Sequence, residues 1–189
     1  MTCFGIAYPM IRSTLFSPIL PMASLPYPCF ADLAKLAAAK LKPGCLCLAY
    51  TGQMFLPQVI DAMRDHLEYW WIFAIQFGGK HAAIHPRAIQ NKWRSILAFA
   101  KPPVSPAPEW LSDVLAGGGR EKLHDDWEQN ESEAEYLIRK LTQPNDLVVD
   151  PFCGTGTFCV AAKTVGRRWF GTEIDRVKAK MARLRLSNG

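Results

Sequence analysis

The octapeptide over residues 150–157, Asp-Pro-Phe-Cys-Gly-Thr-Gly-Thr, constrains the fold of this chain more than any other segment. A short apolar run, Leu147 to Val149, precedes it, and an apolar segment of helical spacing, Phe158 to Val165, follows. This succession is typical of a buried strand, a glycine loop and a helix. Gly154 and Gly156 let the backbone approach a ligand, and the helix start offers unpaired N–H groups. Because ligands of open α/β sheets bind beyond the carboxyl ends of strands, the segment predicts a ligand-binding loop.

Two classes of cofactor compete for such a loop. A dinucleotide site needs Gly-x-Gly-x-x-Gly, so that a pyrophosphate can rest on the helix, and here Cys159 stands at the third glycine position. S-adenosylmethionine has a ribose but no pyrophosphate, so it does not need that glycine. Glu173 follows the next strand-like segment, Arg168 to Gly171, about 20 residues on, where a ribose-binding carboxylate is expected. The pattern favours S-adenosylmethionine over a dinucleotide, and a purely structural two-glycine turn is the alternative.

Upstream of this loop, helix-like and strand-like segments alternate. The helical spacing spans Phe30 to Leu41 and, after a proline at 57, Val59 to Leu67. Continuous apolar runs, typical of strands covered on both faces, occupy Cys45–Tyr50, Tyr69–Phe77 and Trp93–Ala100. We therefore predict an α/β fold with a doubly wound, Rossmann-like and mostly parallel sheet.

The 189 residues fit one domain, in which composition marks four parts. They are an apolar, proline-rich segment (1–28), an α/β half (29–101), a Pro/Gly-rich linker or loop (102–126) and the cofactor half (127–189). In the last part, a capping-box pattern over residues 132–135 predicts a helix starting at Ser132. A basic terminal helix, Arg176 to Leu186, is expected to turn three apolar side chains inward, those of Val177, Met181 and Leu184.

Charge and cysteine usage bound the class of protein. The net charge of +5 and pI near 8.9 are compatible with a nucleic-acid partner. The six cysteines include no Cys-x-x-Cys pair, and Cys45 and Cys47 alternate along a strand, so we expect buried free thiols in a reducing compartment. No apolar run has membrane-spanning length, and Pro18 and Pro21 interrupt the apolar start, which argues against a signal peptide. We expect a cytoplasmic protein without a membrane partner.

Residues 150–157, together with Gly-Thr-Glu-Ile-Asp at 171–175, resemble the cofactor half of the amino-methylating DNA methyltransferases. The resemblance covers roughly Phe30 to the end, in the permuted order that assigns 29–101 to the catalytic half. Members use S-adenosylmethionine to methylate adenine N6 or cytosine N4. The resemblance implies that Phe152 lies along the cofactor, that Asp150 supports the loop and that Glu173 binds the ribose hydroxyls. The cofactor-binding residues that it implies are Trp127, Ser132, Asp150, Phe152, Gly154, Gly156, Thr157 and Glu173.

The catalytic motif of that family is Asp, Asn or Ser followed by Pro-Pro and an aromatic residue. Its polar groups accept hydrogen bonds from the base amine, and its aromatic ring stacks on the flipped base. The sequence contains no Asp-Pro-Pro-Tyr, and the nearest string is Ser24-Leu25-Pro26-Tyr27. Ser24, Pro26 and Tyr27 are therefore the catalytic candidates, with an apolar turn as the alternative. The strand that carries this motif would have to come from Thr14 to Ala23, and Pro18 and Pro21 disfavour a central strand there. Three interpretations stay open: an active enzyme with a distorted strand and a weak motif, an inactive remnant that binds cofactor, or an incomplete copy.

A basic cluster surrounds one predicted inter-strand loop. Phosphate contact by this cluster is one hypothesis, a solvated basic loop is the other, and the residues are Lys80, Arg87, Lys92 and Arg94. The two histidines there, His81 and His85, have no Cys or carboxylate at metal-ligand spacing, so no metal site is predicted. We expect an adenine N6 methyltransferase of DNA whose sequence specificity is either weak or supplied by another subunit or a fused domain. A remnant, and a methyltransferase of a non-DNA substrate, are the alternatives.

Overall fold

The computed structural model describes residues 28–77, 82–84, 88–117 and 131–187. A short 3-10 turn, Gln53–Phe55, precedes the second helix. The helices are α1 (Pro28–Lys40), α2 (Leu56–Arg64), α3 (Glu131–Leu141), α4 (Thr157–Thr164) and α5 (Arg176–Ser187). The strands are β1 (Leu46–Thr51), β2 (Glu68–Gln76), β3 (Ala82–Ile84), β4 (Ile89–Asn91), β5 (Trp93–Ala100), β6 (Val114–Ala116), β7 (Leu147–Asp150) and β8 (Arg168–Gly171).

A four-stranded sheet in the order β1-β5-β2-β6 forms the larger part of the fold. Strand β5 runs antiparallel to β1 and β2, and β6 runs parallel to β2, so three of the four strands share one direction. Strands β7 and β8 form a separate parallel pair, and β3 and β4 form a small hairpin. The predicted α/β class with a mostly parallel sheet is confirmed, and β5 makes the larger sheet mixed.

Helices cover both faces of the sheets, because side chains alternate across each strand. On one face, Leu48 and Ile96 of the large sheet pack with Leu137 of α3 and Phe158 of α4, and Val148 of β7 joins them. On the other face, Cys45 and Cys47 pack with α1 and α2, and Val149 of β7 adjoins that cluster. Both cysteines are buried, as their alternation predicts. The two cores extend under β7, so the cofactor half continues the layers of the large sheet.

Among the described residues, β1 has one ladder neighbour, β5, and β7 has one, β8. The strand that the resemblance places beside the cofactor strand would come from residues 14–23, which lie outside the described residues. The permuted order of the two halves therefore stays a prediction.

Three local predictions differ from the structure. Residues 114–116, within the segment predicted as a loop, form β6, because Ala74 to Gln76 of β2 pair with them. Helix α3 is described from Glu131, so Ser132 lies inside its first turn and does not precede it. Glu133, expected in a capping box, is instead 4% exposed and pairs with Arg94 of β5.

The inward face of α5 is also not the predicted one. Val177 and Leu184 are 69% and 53% exposed, whereas Ala182 is buried. The physical reason is the neighbour of α5: a Cβ on Gly156 would stand 2.9 Å from the Ala182 Cβ. A helix that approaches a backbone this closely must present a small residue there. Among the described residues, no helix is long and apolar enough to cross a membrane.

Candidate cofactor site

The two glycines of the loop after β7 have different tasks. Both have left-handed backbone conformations, with φ of +52° at Gly154 and +87° at Gly156, which glycine adopts at little cost. A Cβ on Gly154 would meet no atom within 4 Å, so this part of the backbone is open to an approaching ligand. Gly156 abuts Ala182 of α5 instead. The first glycine therefore opens the loop, and the second lets a helix pack behind it.

Asp150 fixes the start of the loop from the end of β7. Its side chain is buried, and Oδ1 accepts the Phe152 backbone N–H at 3.1 Å. Burial raises the pKa of this carboxyl well above its usual range, the nearby Cys153 adds to the rise, and the Phe152 N–H opposes it. Asp150 thus anchors the Phe152 backbone at the start of the loop, and its part in cofactor binding stays a prediction.

We expect Asp150→Asn to stabilise the protein increasingly as pH rises. The ordinary aspartate pKa is about 3.9. Because the folded-state pKa is raised, the favourable contribution of this group is complete below the ordinary pKa and is lost as pH rises through the raised one. Asparagine does not titrate, and its Oδ1 still accepts the Phe152 N–H. Urea unfolding between about pH 4 and pH 8 measures the difference, with Asp61→Asn on the exposed face of α2 as the control. A constant difference between variant and wild type across this range would contradict the expectation.

Glu173 faces the open glycine from the segment after β8. Its Oε2 accepts the Gly154 N–H at 2.8 Å, and its Oε1 accepts the Asp175 N–H at 2.8 Å. The Cys153 N–H donates to the Thr172 carbonyl at 2.9 Å, which ties the loop to the same segment. Both carboxylate oxygens are thus held in place, and each keeps a lone pair for another donor. This arrangement can accept two neighbouring hydroxyl groups.

Gly171 is a candidate site residue that the sequence patterns did not indicate. A Cβ there would lie 2.7 Å from the Cys159 Sγ and 3.0 Å from the Cys153 Sγ. In a dinucleotide loop the third glycine allows the helix to pack closely on the strand. Here Cys159 occupies that helix position, and Gly171 of β8 supplies the space. A glycine at the end of the strand before Glu173 was the available signal.

The two thiols beside Gly171 interact. A hydrogen bond from Cys159 lowers the pKa of Cys153, while burial opposes that change. The same hydrogen bond and burial raise the pKa of Cys159. Cys153 is thus the more acidic thiol of the pair and also the more exposed one.

A buried polar cluster lies next to the site, between β1, β5 and α3. The Arg94 guanidinium pairs with Glu133 and stands 5.2 Å from the centroid of the Tyr50 ring. The Tyr50 ring also meets Phe158 of α4 edge-on at 5.9 Å. Within the described part of the chain, the Tyr50 hydroxyl and Arg94 Nε have no hydrogen-bond partner. Arg94 is thus bound within the fold, and its predicted phosphate contact stays a prediction.

The remaining predicted residues are distributed as follows. Phe152 is half-buried and packs on the core of α1 and α2, and Thr157 is the buried first residue of α4. Ser132 is exposed on α3, and Lys92 is exposed between β4 and β5. The structure thus brings Asp150, Phe152, both glycines, Thr157 and Glu173 together around one loop. Predicted residues that lie outside the described residues are Ser24, Pro26, Tyr27, Lys80, Arg87 and Trp127.

Two grooves lie away from this loop. One, of about 620 Å³, is bordered by Trp71 and by residues 106–113, which include Trp110. The other, of about 580 Å³, lies near the amino ends of β1, β7 and β8 and is bordered by residues such as Gly44 and Asp146. Neither contains a predicted site residue. No group of three or more His, Cys, Asp or Glu side chains in the described ranges is arranged to hold a metal ion.

Comparison with known proteins relates this chain to DNA methylases. A family model described as DNA methylase matches residues 85–183, about half of the chain. The putative methylase YubD of Escherichia coli (strain K12) is 39% identical over 79 residues, which are 42% of this chain and 34% of that protein. The type II methyltransferase M2.DpnII of Streptococcus pneumoniae is 34% identical over 82 residues, which are 40% of this chain and 30% of that protein. The matches thus span about a third of these relatives' length.

Solved structures share the fold over nearly the whole chain. The complex of M1.HpyAVI with SAM has a TM-score of 0.75 at 19% identity, covering 93% of this chain and 88% of that one. The cytosine-N4-specific PvuII DNA methyltransferase has a TM-score of 0.79 at 18% identity, covering 95% and 81%. At these identities, the likeness concerns the fold.

Proposed function

We propose that this chain, which belongs to the N6/N4 DNA methylase family, binds S-adenosylmethionine and methylates an exocyclic amine of a DNA base. The observation that carries the proposal is the Glu173 carboxylate, held against the open Gly154 by that residue's own N–H at 2.8 Å. S-adenosylmethionine is the cofactor of this family, and the M1.HpyAVI structure that shares this fold is a complex with it. A preformed carboxylate beside an open glycine, at the carboxyl end of a parallel strand pair, is the geometry that a ribose requires.

The residues around the loop fit the cofactor in the following way. Glu173 accepts the ribose hydroxyls, and Phe152 lies along the cofactor. Gly154 leaves space for it, and the buried Asp150 holds the loop through the Phe152 N–H. Thr157 begins the helix that follows the loop. Trp127 and Ser132 contact the methionine end in this proposal, which for these two residues rests on the resemblance alone.

For the methyl transfer itself, Ser24, Pro26 and Tyr27 are the proposed catalytic residues. Ser24 and the proline carbonyl would accept hydrogen bonds from the base amine, which localises its lone pair, and Tyr27 would stack on the flipped base. The cofactor supplies an activated methyl group on sulfur, and positioning of the amine in line with it carries much of the rate. We propose adenine N6 as the target, with cytosine N4 as the alternative that Ser24 would also suit.

DNA is the proposed partner, supported by the net charge of +5 and by exposed Lys92. Lys80, Arg87 and Arg94 complete the proposed phosphate contacts. The Pro/Gly-rich 102–126 segment is short for a separate recognition module, so a partner subunit or fused domain is proposed to add specificity.

Methyl transfer is tested with radiolabelled S-adenosylmethionine and unmethylated DNA, followed by digestion to nucleosides and mass spectrometry. We expect label in N6-methyladenine, and at least a hundredfold loss of label with Tyr27→Ala because base stacking and positioning are both lost. Tyr69→Ala, a similar change on β2 at the far end of the sheet from the loop, controls for loss of an aromatic side chain.

Other outcomes separate the alternatives. Label in N4-methylcytosine would overturn adenine as the target and keep the proposed reaction. Saturable cofactor binding without transfer to any nucleic acid would support the remnant, which the lack of Asp-Pro-Pro-Tyr in the sequence also favours. Label on a protein or small molecule would identify the third alternative.

A further inference from the structure

Arg185, in the last turn of α5, is turned inward onto the cofactor loop. One terminal nitrogen, Nη1, donates to the Thr155 carbonyl at 2.9 Å and to the Thr155 hydroxyl at 3.1 Å. The other, Nη2, pairs with the Glu131 carboxylate at the start of α3. The Arg185 side chain is only 13% exposed, whereas its neighbour Arg183 on the same helix is exposed. A single guanidinium thus joins three elements.

Thr155 lies in the tight turn of the loop, where the Gly156 N–H donates to the Cys153 carbonyl at 2.7 Å. It lies between two glycines in left-handed conformations, and glycine leaves a chain more conformational freedom than any other residue. Asp150 and Glu173 hold the loop from the strand side through the N–H groups of Phe152 and Gly154. Arg185 holds the other side, through a carbonyl and a hydroxyl.

Helix α5 is placed to give this support. Ala182 and Arg185 are three residues apart, so they lie on one face of the helix. Ala182 packs against Gly156 while Arg185 reaches Thr155, so one helix face contacts two consecutive loop residues. Glu131 lies at an amino-terminal helix end and Arg185 at a carboxyl-terminal one, and each charge is favourable at its end.

We propose that Arg185 is a positioning residue that fixes the Gly154–Gly156 turn in the shape that receives S-adenosylmethionine and links this turn to α3. The inference rests on the proposed function for the identity of the cofactor. Through Glu131, Arg185 connects the loop with the helix whose next residue, Ser132, is proposed at the methionine end. Arg185 touches no part of the cofactor in this proposal, because it acts through Thr155.

The test compares Arg185→Gln and Arg185→Lys with Arg183→Gln, which removes the same charge from an exposed position two residues away. Hydrogen exchange of the peptide covering residues 152–158 reports the loop without any cofactor. Calorimetry reports the dissociation constant for S-adenosylmethionine. We expect Arg185→Gln to speed exchange in this peptide and to raise the dissociation constant about tenfold, since charge-assisted hydrogen bonds are lost. Lysine should restore part of both losses, and Arg183→Gln should change neither.

The outcomes distinguish this inference from the proposed function. Unchanged loop exchange in Arg185→Gln overturns the inference, whether or not the wild type binds the cofactor. Faster exchange with an unchanged dissociation constant also overturns it, because Arg185 would then be structural only. If exchange rises throughout the Arg185→Gln protein, the folded Glu131→Gln variant is measured in its place, since it removes one partner of Arg185 and leaves the Thr155 bonds. Faster exchange of residues 152–158 in Glu131→Gln would then support the inference, and unchanged exchange would overturn it. Faster loop exchange in Arg185→Gln, together with a wild type that binds no cofactor, would overturn the proposed function and with it the positioning role.

Discussion

Replacing Glu173 with alanine is expected to raise the dissociation constant for S-adenosylmethionine about a hundredfold. Two hydrogen bonds from ribose hydroxyls to a charged acceptor contribute about 3 kcal/mol together, which corresponds to that factor. The loss also frees the Gly154 N–H, which Glu173 Oε2 accepts at 2.8 Å, so the loop loses an anchor as well. Isothermal titration calorimetry on the folded variant measures the effect directly.

Asp175→Asn is the matched control for this change. Asp175 is an exposed carboxylate two residues away, and its Oδ1 accepts the Val177 and Lys178 N–H groups at the start of α5. Asparagine caps a helix about as well as aspartate, so the fold is retained while the same charge is removed. We expect an affinity within about twofold of the wild type. Equal affinities of Glu173→Ala and wild type would refute the ribose role of Glu173.

Gly171→Ala is expected to lower the free energy of unfolding by about 2 kcal/mol. The added Cβ would lie 2.7 Å from the Cys159 Sγ and 3.1 Å from the Cys153 Cβ, and neither group is at the end of a long, flexible side chain. Helix α4 or strand β8 must therefore shift, and the loop between them shifts too. Urea unfolding followed by circular dichroism gives the change in stability.

The double variant Gly171→Ala/Cys159→Ala controls for this interpretation. Removing the Cys159 sulfur creates the space that the new Cβ needs, so we expect the two changes to be coupled by at least about 1 kcal/mol. If the two losses simply add, the close packing of Cys159 on Gly171 is not what limits the size of residue 171.

Predictions from the sequence succeeded where local patterns decide the structure. The apolar runs at residues 45–50 and 93–100 form β1 and β5, and the loop with Glu173 opposite it assembles as expected. Predictions from the sequence failed where a residue distant along the chain decides the local structure. Strand β6 has three residues and forms because β2 pairs with them, so it has no local signal. Periodicity placed Val177 and Leu184 of α5 inward, but the helix turns Ala182 to the loop because Gly156 leaves no room for a larger residue.

The site shows the same division. The loop residues and Glu173 are marked by their types and spacing along one βαβ unit, so the sequence suffices to propose them as candidates. Gly171 and Arg185 depend on partners 12 and 30 residues away, and nothing in a local window distinguishes Arg185 from the exposed Arg183 beside it. Basic residues on a terminal helix ordinarily form a solvated face, and burial by the cofactor loop overrides that expectation here.

The contact between Cys159 and Gly171 implies an evolutionary constraint on this chain. Close approach of helix and strand requires one missing side chain, and either partner can lack it. Positions 159 and 171 should therefore vary together among homologous sequences, with a glycine or alanine at the helix position wherever the strand position carries a Cβ. A motif search that weights only the helix glycine would pass over chains that have placed the small residue on the strand.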